Sequence, residues 1–331
     1  MSDNSVQSSI AGQNAGLPEN GALPLAQVGR VIATRELRPM SASNQHRSEM
    51  KRTFRDVMGT LDGTTDIDCS NMGLTSLEGC PEIVEGSFNC SGNELTSLEG
   101  APHVTGSFDC SGNKLASLEG APRKVSGDFN CSHNLLNCLK GAPAKVKGSF
   151  DCSRNRLIAL TGAPKKVKGL FDCSGNNLVS LHGAPLITGS FNCSNNRLRT
   201  LHGAPDEVHF DFDCSSNMIS TLDGAPEFVN GHFSCANNLL ENLEHGPLEV
   251  TGDFNCSGNR LTNLKRFPKK VIGSLDCAEN PAVSCDTVRQ DPGNRCVRLV
   301  QGGSTRCCCQ ESTPEKSVAL SPPSPPINTA I

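Results

Sequence analysis

Eleven cysteines, at 69, 90, 110, 131, 152, 173, 193, 214, 235, 256 and 277, follow one another at steps of 20 or 21 residues. A unit this short cannot bury its own apolar side. Copies must therefore stack, and stacked copies of one unit make a solenoid in which each turn touches its neighbours. Around each Cys the sequence reads approximately V-x-G-x-F-x-C-S-x-N-x-L-x-x-L-x-G-A-P, as in GSFDCSGNKLASLEGAP at 106–122.

Each recurring residue has a physical role. Phe stands two before Cys in nine turns, from Phe88 through Phe254, with Ile67 and Leu275 at the ends. F-x-C has the period of a strand, so Phe and Cys point inward while the residue between them points out. Asn stands three after Cys in ten turns, from Asn93 to Asn280. Its amide carries donors and an acceptor for backbone groups freed where the strand bends away. Leu at five and eight after Cys supplies core on the returning arc, and G-A-P turns the chain without a helix. Parallel strands about 4.8 Å apart give eleven turns a length of roughly 50 Å. A parallel β-helix is the alternative architecture, but it should show several alternating strands per turn, and one is visible.

The strings F-x-C-S-x-N-x-L and L-x-x-L resemble the leucine-rich repeat in its short bacterial form. P-x-x-V, a strand and N-x-L-x-x-L together look like the repeats of type III effectors of the YopM and IpaH type. The resemblance covers about two thirds of the chain. It implies an α/β solenoid with the parallel sheet on the concave face and binding of a protein partner there. The chain departs from that pattern by its Phe and Cys in the strand and by usually one more residue between Pro and strand. Similar Cys-bearing repeats also occur in phage proteins. Effectors resembling IpaH carry a ubiquitin-ligase domain with a catalytic Cys, and nothing after the repeats here corresponds to it.

Four segments follow. Residues 1–45, rich in Ser, Asn, Gln, Ala and Gly, read as disordered, and the resemblance suits them to an export signal. Residues 46–64 place Met50, Phe54, Val57, Met58 and Leu61 on one helical face, which would cap the open end of the stack. The solenoid spans 65–285, and 286–331 is a Cys- and Pro-rich tail expected to lack structure. The start shows neither the basic stretch nor the apolar core of a secretory signal peptide.

Chemistry is sparse. The repeat cysteines share one inward position, so they read as small apolar packing groups. Parallel neighbours point the same way, which suits neither disulfides nor zinc. The eight His show no partner pattern, so the chain reads as no enzyme, with no cofactor and no metal. Cys307, Cys308 and Cys309, outside the repeat, are candidates for S-acylation, which would give a membrane contact.

The outward strand column is Asp or Asn in ten of eleven turns. Asp109, Asn130, Asp151, Asp172, Asn192 and Asp213 are its candidate partner-binding residues, facing a protein with a basic surface. Lysines gather elsewhere, at Arg123-Lys124, Lys145, Lys147, Lys165-Lys166, Lys168 and Lys269-Lys270, read as a solvated face. With a net charge of −4, no Trp or Tyr and few other aromatics outside the core column, nucleic acid is not expected. The sequence thus reads as a monomeric, non-enzymatic scaffold, exported into a host cell by a type III-like route. The rival is a bacterial or phage interaction protein that stays in the bacterial cytoplasm.

Overall fold

The computed structural model describes residues 51–281, 298–301 and 304–307. Eleven two-residue strands, from Ile67–Asp68 to Leu275–Asp276, pair in chain order into one parallel sheet. Register follows the repeat. Phe108 lies opposite Phe129, and Phe129 opposite Phe150, so each repeat position stacks on its own copy.

That register builds the core. From Phe88 to Phe254 the rings are no more than 1% exposed, with neighbouring centroids 5.3–5.7 Å apart and planes within 7–19°. The separation exceeds the strand spacing, which is the offset stacking that aromatic quadrupoles favour. The stack is closed at one end by Phe54, tilted against Phe88 at 6.1 Å, and at the other by Phe267, edge-on to Phe254 at 5.2 Å. Beside it run the buried cysteines and, in the first ten turns, two leucines per turn, with Ile219 in place of one.

The buried asparagines fasten turn to turn. In Asn134 the amide nitrogen donates to the carbonyls of Cys131, Ser132 and Cys110 of the turn before, while its oxygen accepts from the Leu115 amide. The residue before each of these asparagines takes a left-handed backbone. Glycine holds that position in four turns, but His133 (φ 54°) and Arg154 (φ 53°) hold it in two consecutive ones.

The returning side differs from the sequence reading. It carries a second short strand in each of ten turns, from Ile83–Val84 to Lys270–Val271, in separate parallel sheets of two, four and four strands. Sequence reasoning found one strand per turn because a two-residue strand with a single buried Val shows no alternation. No helix lies on this side, where helices complete an α/β repeat, because Gly and Pro recur too closely for one to form. The ladder is interrupted twice, between His103–Val104 and Lys124–Val125 and again between Leu186–Ile187 and Glu207–Val208. Close by, Phe210 holds a position that is glycine in nine turns. Those glycines stack backbone on backbone, as in Gly106 N–H to Gly86 O at 2.8 Å, and a Cβ at Gly189 would lie 2.1 Å from Gly169 O.

At the N-terminal end a helix spans Phe54–Met58, shorter than the 46–64 span of the expected cap, whose residues 46–50 lie outside the described residues. Thr53 and Asp56 form a reciprocal capping box. The amides of Phe54 and Arg55 donate to Ser76 and Glu78 of the first turn. In the tail expected to lack structure, Arg298–Gln301 and Ser304–Cys307 pair as an antiparallel hairpin. The intervening Gly-Gly is a two-residue hairpin signal that sequence reasoning passed over. The remainder of the tail and residues 1–45 lie outside the described residues.

Candidate functional site

The six sequence-predicted residues fall together. Asp109, Asn130, Asp151, Asp172, Asn192 and Asp213 occupy consecutive strands in direct register, all half-buried, on the outer face of the eleven-stranded sheet. They also have a local duty that the sequence reading did not assign. Each uses its Oδ1 to accept from the amide two residues on: Asp151 from Ser153 at 2.8 Å, Asp172 from Ser174 at 2.8 Å, and Asn130 from Ser132 at 3.0 Å. This ties off the strand end where the chain turns. A half-buried polar column is therefore partly structural.

The remaining oxygens make the face uneven. Asn130 donates to Asp109 Oδ2 at 3.3 Å, and Asn192 donates to Asp172 Oδ2 at 3.1 Å. Asp151 and Asp172 instead stand side by side, one strand apart. Burial pushes the Asp151 carboxyl up; its bonds from the Ser153 hydroxyl and amide oppose this, and the Asp172 charge adds to it. A cation docked here would relieve that repulsion. His133 and Arg154, exposed in their left-handed positions, stand three residues after Asn130 and Asp151.

The buried cysteines of the strand column are poor nucleophiles. Cys131 Sγ donates to Asp151 O at 3.3 Å and Cys152 Sγ to Asp172 O at 3.2 Å, so the thiols hold the turns together. Burial pushes their pKa values well above the ordinary thiol range, and even the half-buried Cys80 is pushed up to about 12. Thiolate is then scarce at neutral pH. Cys307 ends a tail strand, and Cys308 and Cys309 lie outside the described residues. No helix among the described residues is long and apolar enough to cross a membrane.

No family model matches the chain, and no curated protein matches it. Among solved structures it is similar to YopM, a leucine-rich effector protein from Yersinia pestis. The two are 23% identical with a TM-score of 0.53, over 72% of this chain and 65% of that one. The fold is a leucine-rich-repeat solenoid. YopM from Yersinia enterocolitica is also similar, at 20% identity and a TM-score of 0.42 over 71% of this chain and 65% of that one. The chain thus spans less than two thirds of the length of either neighbour.

Two exposed aromatics escaped the sequence reading, which counted almost no anchors. Phe210 is 57% exposed and Phe228 47% exposed, both on the returning side. The signal for Phe210 was the absent glycine four before Cys214, and for Phe228 its place in a column otherwise largely polar.

Proposed function

We propose that the chain is a non-enzymatic protein-interaction scaffold that takes a partner with a basic surface on the outer face of its long sheet. The observation that carries this is the unbroken row from Asp109 to Asp213, with the adjacent Asp151 and Asp172 carboxylates at its centre. Two carboxylates one strand apart in a half-buried row repel each other, and a lysine or arginine from outside would face both. The thiols, held protonated by burial, leave the repeat a structural framework rather than a reactive one.

Export into a host cell by a type III-like route belongs to the same reading. It is supported by the fold shared with a protein described as a leucine-rich effector. Cys307, Cys308 and Cys309 remain proposed acylation sites.

The binding face is tested with a photo-crosslinking residue at Asn130, at Asn192 and, as a control, at Thr161 on the arc. Partner adducts from the first two positions and none from the third are expected; adducts confined to Thr161 would place the site elsewhere. Export is tested by fusing residues 1–45 to a reporter in a type III-competent strain. Reporter that stays in the bacterium defeats that part alone.

A further inference from the structure

On the returning side, Lys124, Lys145 and Lys166 stand in direct register on three adjacent parallel strands. In each strand the following Val is buried, so the next residue out, Lys147 or Lys168, emerges on the same outer side. Arg123 and Lys165 precede their strands. All seven cationic side chains are exposed, and among the described residues none enters an ion pair. The lysines that do pair, such as Lys140 with Glu119 at 2.8 Å, lie on the arc or in other turns.

The patch has edges. In the same columns the turn before it carries Pro102, His103 and Thr105, and the turn before that Glu82 and Glu85; the turn two after it carries Asp206 and Glu207. Between them, Leu186 pairs directly with Lys166 and is 74% exposed. A chain of net charge −4 thus concentrates seven unpaired positive charges on three turns, with an exposed leucine at the margin.

Its shape selects the ligand. Three strands about 4.8 Å apart make a small plane, neither a cleft nor a line. Six of the seven groups are lysines, strongly hydrated point charges that suit diffuse attraction better than the paired bonds arginine makes to a single phosphate. No aromatic lies within the patch to stack a base. We infer that this face docks the solenoid on an anionic lipid bilayer, with the lysines at the headgroups and Leu186 entering the interface. A plane of anionic headgroups is the complement of a plane of lysines, and long lysine stems reach it without strain. The contact needs no acylation of the tail.

The test is cosedimentation of the unacylated full chain with vesicles of phosphatidylcholine, alone or with phosphatidylserine. Binding only to vesicles containing phosphatidylserine, weakened by added salt, is expected. Each neutralised lysine should weaken it about fivefold. Replacing Lys145, Lys147, Lys166 and Lys168 together by Gln should then abolish it, whereas Lys265→Gln with Lys269→Gln should leave it nearly intact. Melting curves establish that both variants fold, and Lys145→Gln with Lys166→Gln serves if the fourfold variant does not. Three results would overturn the inference: native protein that ignores both vesicles, two variants that lose binding equally, or a fourfold variant that binds like native. Retention on immobilised polyglutamate or RNA without vesicle binding would give the patch to another ligand and overturn it equally.

Discussion

The side-chain amide of Asn155 donates to the carbonyl of Cys131, 3.0 Å away in the preceding turn. The same amide also holds the carbonyls of Cys152 and Ser153, and its oxygen accepts from the Leu136 amide. One buried side chain thus satisfies four backbone groups across two turns. Asn155→Ala should cost about 2–4 kcal/mol, because the Cys131 and Cys152 carbonyls and the Leu136 amide lose this partner, while the Ser153 carbonyl keeps its bond from the His133 amide. Urea unfolding followed by circular dichroism measures it, and a loss under about 0.5 kcal/mol would remove the asparagine column from the account. Asn155→Asp should be worse still, since a carboxylate cannot donate to three carbonyls.

Alkali should loosen the fold. Burial raises the thiol pKa of the repeat cysteines, with Cys277 pushed up to about 12. A folded pKa above the unfolded one means stability is intact below the unfolded value, about 8.5, and is lost as pH climbs towards the folded value. Melting temperature should therefore fall between about pH 9 and pH 12. Cys131→Ala with Cys152→Ala should reduce the steepness of that fall at some cost in stability at neutral pH. A slope untouched by the substitutions would mean that other groups cause it. Alkylation with mass mapping should likewise leave Cys131 and Cys152 unmodified until the protein unfolds.

Glycine positions should separate by geometry. Gly141 has φ 92°, and a Cβ there would lie 2.4 Å from the Leu118 carbonyl carbon. Gly112 has φ 63° and its nearest atom, the Gly92 nitrogen, at 3.4 Å. Gly112→Ala should cost about 1 kcal/mol, the left-handed penalty alone. Gly141→Ala should cost at least 3 kcal/mol, since backbone must move. Equal losses in denaturant titrations would show that the turns are looser than their close approaches require.

The interruption beside Phe210 should be visible in solution. Glu207–Val208 has no parallel partner in Leu186–Ile187, whereas Lys145–Val146 is paired on both sides. Amides of 206–210 should exchange with deuterated water faster than those of 144–148. Uniform exchange along the returning side would contradict this.

The repeat made the core legible in the sequence. Phe108, Cys110, Asn113, Leu115 and Leu118 meet the same surroundings in every turn, so the same residue types recur and reveal them. What recurs weakly, or departs from the pattern, stayed hidden. The second strand has one buried residue, such as Val146, and offers no period to read. Phe210 and Phe228 are departures, which a consensus conceals. The Asp and Asn column was visible as charge, but its bonds to the amides two residues on were not read, although the D-x-S and N-x-S spacing carries them. The six candidate residues were thus placed together for one reason and hold their turns for another.

That double duty shapes the most direct test of the account, which is that the sheet face binds a basic partner. Asn already stands at positions 130 and 192 of the same column with the local bond intact, so Asp→Asn removes charge and keeps the turn. The measurement is calorimetric titration of a lysine- and arginine-rich peptide into native protein and into the variant with Asp109, Asp151, Asp172 and Asp213 all changed to Asn. The expected result is a folded variant, its melting temperature lowered only slightly by the acceptors that Asn130 and Asn192 lose at Asp109 and Asp172, with an affinity reduced about tenfold or more, a loss of at least about 1.4 kcal/mol. Equal affinity in the two proteins would contradict it.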